Sequence, residues 1–322
     1  MYLGAWGVFV CLVLISCQFL FTISSHAQAW LPPKGIGTVS LAYKNFYVTD
    51  HTDKDGKAFD LGEIRHHHLD MDVEYGVTNR LALNLTVPLS FGNYTGTAPH
   101  RDPAGHLEFL DDGTYHGGFQ DFRLGGRFNL VRYTPVVITA FIEGIIPSHD
   151  YVTFAHAALG RNLRELLIGT YVGRDLEELL PNAYFQTRVS FAFVERVLDT
   201  SHNRTNISGE LGYGLTDRLV LSGVASFQKH HGGIRWNSSV PIPEQWTPDQ
   251  LLHHDQLLRA DSLDVGGGAS FAVNRSTSVF ANLLTTTWHR NGHPLQYGIT
   301  IGISKSFSTR ARPGLALDPA QP

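Results

Sequence analysis

The chain has 322 residues, a formal net charge of −4 and a hydrophobic fraction of 43%. So small an acidic excess excludes the basic face that nucleic acid requires. Both cysteines, Cys11 and Cys17, fall in the N-terminal leader, which excludes disulfides, thiolate metal sites and cysteine nucleophiles from the rest of the chain.

Residues 2–23 carry no charge and are mostly apolar, and Ala27-Gln28-Ala29 forms a small-x-small cleavage site before Trp30. This predicts a signal peptide over 1–29 and export of the chain from Trp30 onward. The leader lacks Lys and Arg ahead of its apolar run, and two alternatives stay open. The run is about 20 residues, long enough for an uncleaved anchor, and Leu14-Ile15-Ser16-Cys17 resembles a lipoprotein signal. No later run approaches a transmembrane helix, so a membrane-embedded remainder must cross as strands.

The first strand is predicted at 36–49. Val39, Leu41 and Tyr43 share one face, Ser40, Ala42 and Lys44 the other. The loop after it has Asp50, Asp53, Asp55 and Gly56 but no closing Glu, and it reads as a solvated loop rather than a calcium site. Strand two (61–76) sets Leu69, Met71, Val73 and Tyr75 against His68, Asp70, Asp72 and Glu74, a face that must be wet. Strand three alternates from Leu81 to Phe91, and its Pro88 predicts a bulge or a rim position. Strand four (118–130) sets Phe122, Leu124 and Phe128 against Asp121, Arg123 and Arg127, and strand five (135–146) sets Val136, Ile138, Ala140 and Ile142 against Thr139 and Glu143. Strand six (163–174) alternates least. Strands seven to twelve are expected at 182–195, 205–215, 219–229, 261–273, 277–288 and 295–307, with a disordered tail over 308–322.

Two nine-residue segments, YGVTNRLAL at 75–83 and YGLTDRLVL at 213–221, repeat one pattern, with a degenerate copy at 271–280. Each sets a polar turn between alternating runs, the mark of a tight β-hairpin. Connections after even strands are short and those after odd strands are mostly long. That asymmetry, the even count and strands of about ten residues predict an all-β fold: a transmembrane antiparallel barrel of the outer-membrane type, about 12 strands, over 30–307. A soluble β-sandwich would not need the asymmetry, nor so many charges opposite its apolar stripes. The expected location is the outer membrane of a Gram-negative cell, with lipid, a small-molecule solute and the barrel-assembly machinery as partners and no nucleic acid.

The predicted lumen lining is Asp70, Asp72, Glu74, Asp121, Arg123, Arg127, Glu143, Arg188, Glu210 and Asp264. Such a set is either a network of ion pairs filling the lumen or the wall of a polar conduit, and twelve strands lie between the filled and the open barrels. Thirteen histidines fall in or beside the long connections. Of these, His116, His149, His156, His230, His231, His253, His254 and His293 are candidate metal ligands, although no spacing among them is diagnostic and hydrogen bonds that fix folded loops over the mouth are the favoured explanation. Ser148-His149-Asp150 offers adjacent polar side chains, but neighbours on a strand point to opposite faces. Nothing resembles a nucleophile elbow. No enzymatic activity and no cofactor are expected.

The segments LPPKGIGTVSLAYKNFYV (31–48), DDGTYHGGFQDFRLGGRF (111–128), PSHDYVTFAHAALGRNLREL (147–166), LPNAYFQTRVSFAFVER (180–196) and RNGHPLQYGITIGIS (290–304) resemble the bacterial outer-membrane family of the meta-pathway of phenol degradation. The resemblance spans most of the chain after the leader. It implies a porin-like barrel and passage of phenol or related aromatic compounds, and it carries over no binding residues. The 231–257 loop and the tail after Phe307 depart from the family pattern, and the tail puts the usual terminal-aromatic assembly signal in doubt. The function expected is passive passage or binding of small solutes. The alternatives are an occluded structural or metal-binding barrel and, behind it, an outer-membrane hydrolase.

Overall fold

The computed structural model describes residues 28–309 apart from 103, 133 and 134. The expected leader up to residue 27, and the tail beyond Thr309, lie outside these residues.

The strands are β1 (Ile36–Val48), β2 (His51–Thr52), β3 (Ala58–Phe59), β4 (Glu63–Gly76), β5 (Leu81–Thr95), β6 (His116–Phe119), β7 (Phe122–Val131), β8 (Val136–Ile146), β9 (Glu165–Asp175), β10 (Ala183–Val194), β11 (His202–Gly214), β12 (Leu219–Gly232), β13 (Asp261–Asn274), β14 (Thr277–Arg290) and β15 (Tyr297–Ser308). β2 and β3 form a small hairpin of their own. β6 and β7 are two pieces of one barrel strand beside β5. The result is twelve antiparallel strands, each paired with its neighbour in sequence. The ring closes where β1 meets β15 along Ile36–Tyr47 and Tyr297–Ser308. Closure leaves no open sheet edge, as lipid requires. Among the described residues no helix is long and apolar enough to cross a membrane, so crossing falls to the strands.

Alternation decides which side chain meets lipid. Leu41, Leu83, Leu124, Ile142, Ile168, Leu211, Leu283 and Ile301 are exposed on the outer face. On the same strands Ala42, Ala82, Thr139, Phe141, Leu167 and Ser304, of the opposite parity, are buried. Pro88 explains why β6 and β7 are separate. It has no N–H to give its neighbour, and between the pairs Thr86–Arg123 and Leu89–Phe119 the neighbouring strand carries one residue more than β5. Gln120 restores contact by donating its N–H to the Pro88 carbonyl at 3.0 Å. A second bulge, at Thr287, sets the parity of Trp288. Leu263 and Asp264 are consecutive on β13, yet they pair with Trp288 and Thr286. The slip turns Trp288 to the outer face, where it stacks on Phe227 at 6.3 Å.

Short turns gather at one end with Gly35 and Thr309, which are joined by an N–H to carbonyl bond of 2.9 Å. In barrels of this type the short turns are periplasmic. The long connections 96–115 and 147–164 fold together at the other end around Val48, Ile64, Tyr94, Leu110, Ala155 and Ala157, and 49–62 and 233–260 join them where His51 meets His156 and His254 meets His100. The 233–260 connection contributes three short helical turns, Ile242–Gln245, Pro248–Leu252 and His254–Leu257. Asp53 belongs to this assembly rather than to a solvated loop. It accepts from the backbone of Asp55 and Lys57 at 3.0 Å and from the Ser238 hydroxyl at 2.7 Å, tying the β2–β3 hairpin to 233–260.

Candidate functional site

Three layers succeed one another along the lumen. At the short-turn end, residues 28–30 run inside the barrel. Ala29 is 0% exposed. Its N–H donates to Gln186 at 3.1 Å and its carbonyl accepts from Thr139 at 2.6 Å. Gln28 accepts from the Tyr171 hydroxyl at 2.6 Å, and its carbonyl accepts from Arg127. Trp30 lies edge-on to Tyr184 at 6.0 Å. The fit needs a glycine: a Cβ on Gly173 would come within 2.7 Å of both Ala29 and the Trp30 ring. The expected cleavage point, before Trp30, falls inside this layer.

Above it lies a ring of ion pairs and hydrogen-bonded acids. Lys44 meets Asp70 at 2.5 Å, Thr86 donates to Asp72 at 2.6 Å, Arg127 pairs with Glu74, and Arg188 stands 3.7 Å from Glu143. Glu210 accepts from Tyr184 and from Gln186, the latter at 3.2 Å. Thr286 donates to Asp264 at 2.6 Å, and Tyr151 donates to Asp121 at 2.5 Å. Each acid of the predicted lumen set thus has a partner. The wall is not polar all round: Phe141, Ile145, Leu167 and Tyr171, on β8 and β9, form one apolar cluster with Ala29. Arg188 lies over the Phe141 ring at 4.5 Å and near that of Tyr171 at 5.6 Å, within cation–π range. Between the apolar wall and the opposite strands is a cavity of about 210 Å³, open in part to solvent. Arg123, Arg188 and Arg204 line it together with Glu143, Ile145 and Leu167. Arg204 is held by Glu165 on β9.

The third layer is the loop cap. Asp111, 4% exposed, ties two loops. It accepts from the backbone and ring of His100, both at 2.9 Å, from the backbone and ring of His156 at 3.3 and 3.1 Å, and from Ala157 at 3.1 Å. Burial opposes its charge, but the hydrogen bonds from His100 and His156 outweigh burial and hold its carboxyl well below the usual carboxylate range. His100 answers in kind: burial opposes its protonation, but the bond to Asp111 and the charge of Asp255 raise it. His51 packs edge-on to His293 at 4.2 Å and to His156 at 5.2 Å. Both its ring nitrogens are buried without a hydrogen-bond partner. Burial, then the neighbouring His156, pushes it down to about 3.

The candidate histidines divide accordingly. His156, His254 and His293 meet in the cap. His116 pairs with Asp112 at 3.0 Å, His149 with Ser148 at 2.8 Å, His231 with Thr205 at 2.8 Å and His253 with Gln256 at 2.8 Å. His230 donates its backbone N–H to Asp261 at 2.8 Å. These five stand outside the cap cluster. His51, His100 and Asp111 complete it, and no pattern in the sequence singles them out. The Ser148–His149 contact forms in a loop, where strand parity does not apply, but Asp150 accepts from Asn162 at 2.7 Å and not from His149.

The COG4313 outer-membrane channel of Pseudomonas putida F1 matches with a TM-score of 0.64 and 12% identity, over 88% of this chain and 100% of that one. The chain has the fold of an outer-membrane channel. The NanC porin matches with a TM-score of 0.47 and 6% identity over 83% of this chain and 98% of its own. The P. putida toluene transporter TodX matches with a TM-score of 0.44 and 12% identity over 89% and 94%. No family profile and no curated protein matches the chain.

Proposed function

We propose that the barrel passes small solutes passively across the outer membrane, and that its lumen favours solutes with an aromatic body and an anionic group. The observation that carries this reading is the mid-lumen cavity, where Arg123, Arg188 and Arg204 outnumber the one lining acid, Glu143, beside the apolar side chains of Ile145 and Leu167. Guanidinium groups recognise carboxylates in a planar, bidentate geometry, and the apolar wall suits a ring. The fold shared with the P. putida channel supports passage. The sequence resemblance to the phenol meta-pathway family supports the aromatic class. Phenol itself dissolves in lipid, so the solutes that need a protein path are the charged aromatic acids.

The test is uptake into liposomes holding the folded protein, with an aromatic carboxylate, a neutral sugar and an organic cation as probes against empty vesicles. The aromatic carboxylate is expected to enter fastest. Equal uptake of all three removes the anionic preference, and no uptake by folded protein, with or without residues 28–30, removes passage altogether. A barrel closed at rest is the second reading, favoured by the seating of Gln28, Ala29 and Trp30 in the lumen. Flux that appears only after residues 28–30 are deleted decides for it.

A further inference from the structure

The cap contains a set of donor atoms that neither the hydrogen-bonded loops nor solute passage requires. His100 directs Nδ1 to Asp111 at 2.9 Å. Asp111 is an acceptor, so Nδ1 carries a proton, and in the neutral ring the lone pair lies on Nε2. His254 directs Nδ1 to the Leu251 carbonyl at 2.6 Å, which likewise leaves its lone pair on Nε2. The two Nε2 atoms face each other at 3.3 Å. The Asp255 carboxylate completes a triangle, with Oδ2 3.5 Å from His100 Nε2 and Oδ1 3.3 Å from His254 Nε2. Asp255 Oδ2 is buried and accepts no hydrogen bond. Two imidazole lone pairs and a carboxylate therefore converge on one point, and all three repel unless a cation lies among them.

The dimensions identify the cation. Ligands bound to zinc at about 2.0–2.1 Å in a tetrahedron lie about 3.3–3.4 Å from one another. The Nε2–Nε2 separation of 3.3 Å matches that edge, and each Nε2 has a different oxygen of the Asp255 carboxylate close by, at 3.5 Å from His100 and 3.3 Å from His254. Calcium takes six to eight oxygen ligands, which this set does not offer, whereas imidazole with one carboxylate suits zinc and its neighbours in the first transition row. The outward bonds also fit. A histidine that binds metal through one nitrogen donates the other N–H to a carboxylate or a backbone carbonyl, as His100 and His254 do here.

We propose that His100, His254 and Asp255 bind a divalent transition-metal ion of the zinc class, with the fourth position open to water. The ion joins two loops, since His100 and His254 are 154 residues apart in sequence. It thereby clips 96–115 to 233–260 over the mouth of the barrel. The site does not rest on solute passage, and its test reads metal rather than flux.

The full-length folded protein, stripped with a chelator and dialysed, is titrated with Zn²⁺ and separately with Co²⁺. One Zn²⁺ per chain and the intense visible bands of tetrahedral Co²⁺ are expected. His254→Ala and Asp255→Asn abolish both, while His149→Ala, outside the cluster, leaves both intact. Asp111→Asn, which frees the His100 tautomer, weakens Zn²⁺ by about 10- to 100-fold. If folded wild-type protein retains no Zn²⁺, or if both ligand variants retain the Co²⁺ spectrum, the proposal fails and the cation among these groups is a proton shared by His100 and His254. The wild-type stoichiometry decides the matter even if a ligand variant does not fold.

Discussion

Replacing Asp111 with Asn should release the two loops it ties while leaving the barrel closed. Its carboxylate accepts five hydrogen bonds from His100, His156 and Ala157. Each bond to a charged acceptor contributes about 1.5–3 kcal/mol, and their sum is less than additive. An amide keeps one acceptor oxygen, turns two new donors toward existing donors, and removes the charge facing His100. Losing the charge and about two of the bonds amounts to roughly 3–5 kcal/mol, the range seen when one partner of a buried pair is removed. At about 1.4 kcal/mol per factor of ten, the equilibrium for opening the cap shifts by roughly a hundredfold or more. Amide hydrogen exchange measures this directly, because local opening sets the exchange rate of protected groups. Protection at the His100, His156 and Ala157 amides is expected to fall by that factor, and protection along β8 and β14 to stay as it was. Unchanged exchange at all three amides would show that the cap does not depend on Asp111. Loss of protection across β8 would show that cap and barrel open together.

Deleting residues 28–30 removes the side chains packed against Gly173 and Tyr184, and single-channel conductance in planar bilayers should rise relative to the intact protein. Arg188→Leu takes one guanidinium from the cavity, so in liposome uptake the aromatic carboxylate should lose its advantage over a neutral sugar. Leu283, exposed on the outer face opposite Ile299, is a lipid-facing position; Leu283→Arg should destabilise the barrel by up to about 2–4 kcal/mol, according to its depth in the bilayer, read from urea unfolding in vesicles. Acid should loosen the cap through His51. Its folded value is lowered to about 3 from the ordinary 6.5, so the opened loop binds a proton that the closed one refuses. The stability held above the ordinary value is then lost as pH falls from about 6.5 toward 3. Limited proteolysis of the long connections across that range, with His51→Gln as the comparison, tracks the change; cleavage that does not increase on acidification would contradict it.

The barrel is legible in the sequence because lipid imposes one rule on every strand, and a period of two survives without knowledge of what any residue touches. Pro88 announces its bulge because proline lacks a donor. Thr287 cannot announce its own, since nothing in Leu-Thr-Thr-Thr-Trp marks which threonine is extra, and the parity of Trp288 is lost with it. β9 alternates poorly for a reason that lies elsewhere in the chain. Its inward Leu167 and Tyr171 are apolar because they pack with Ala29 and the β8 side chains, so both of its faces are greasy. The ten charged residues assigned to the lumen stand out by their opposition to apolar stripes. The cap does not, because loops have no period. His254-Asp255 stands out as a pair, but His100 and Asp111 acquire meaning only when the 96–115 connection is folded against 147–164 and 233–260.

The seam between β1 and β15 bears on where the chain has to start. A ring of strands has no structural first member. Gly35 and Thr309 are already hydrogen-bonded neighbours, so a short linker could join them and new ends could be opened in the turn at 275–276. Every strand pair, including Ile36–Ser308, would persist in such a circular permutant. The finished ring would be indifferent to the cut, as exposed turns usually are. What would change is the order in which strands are delivered to the membrane, and which strand must wait at an open edge for its last partner.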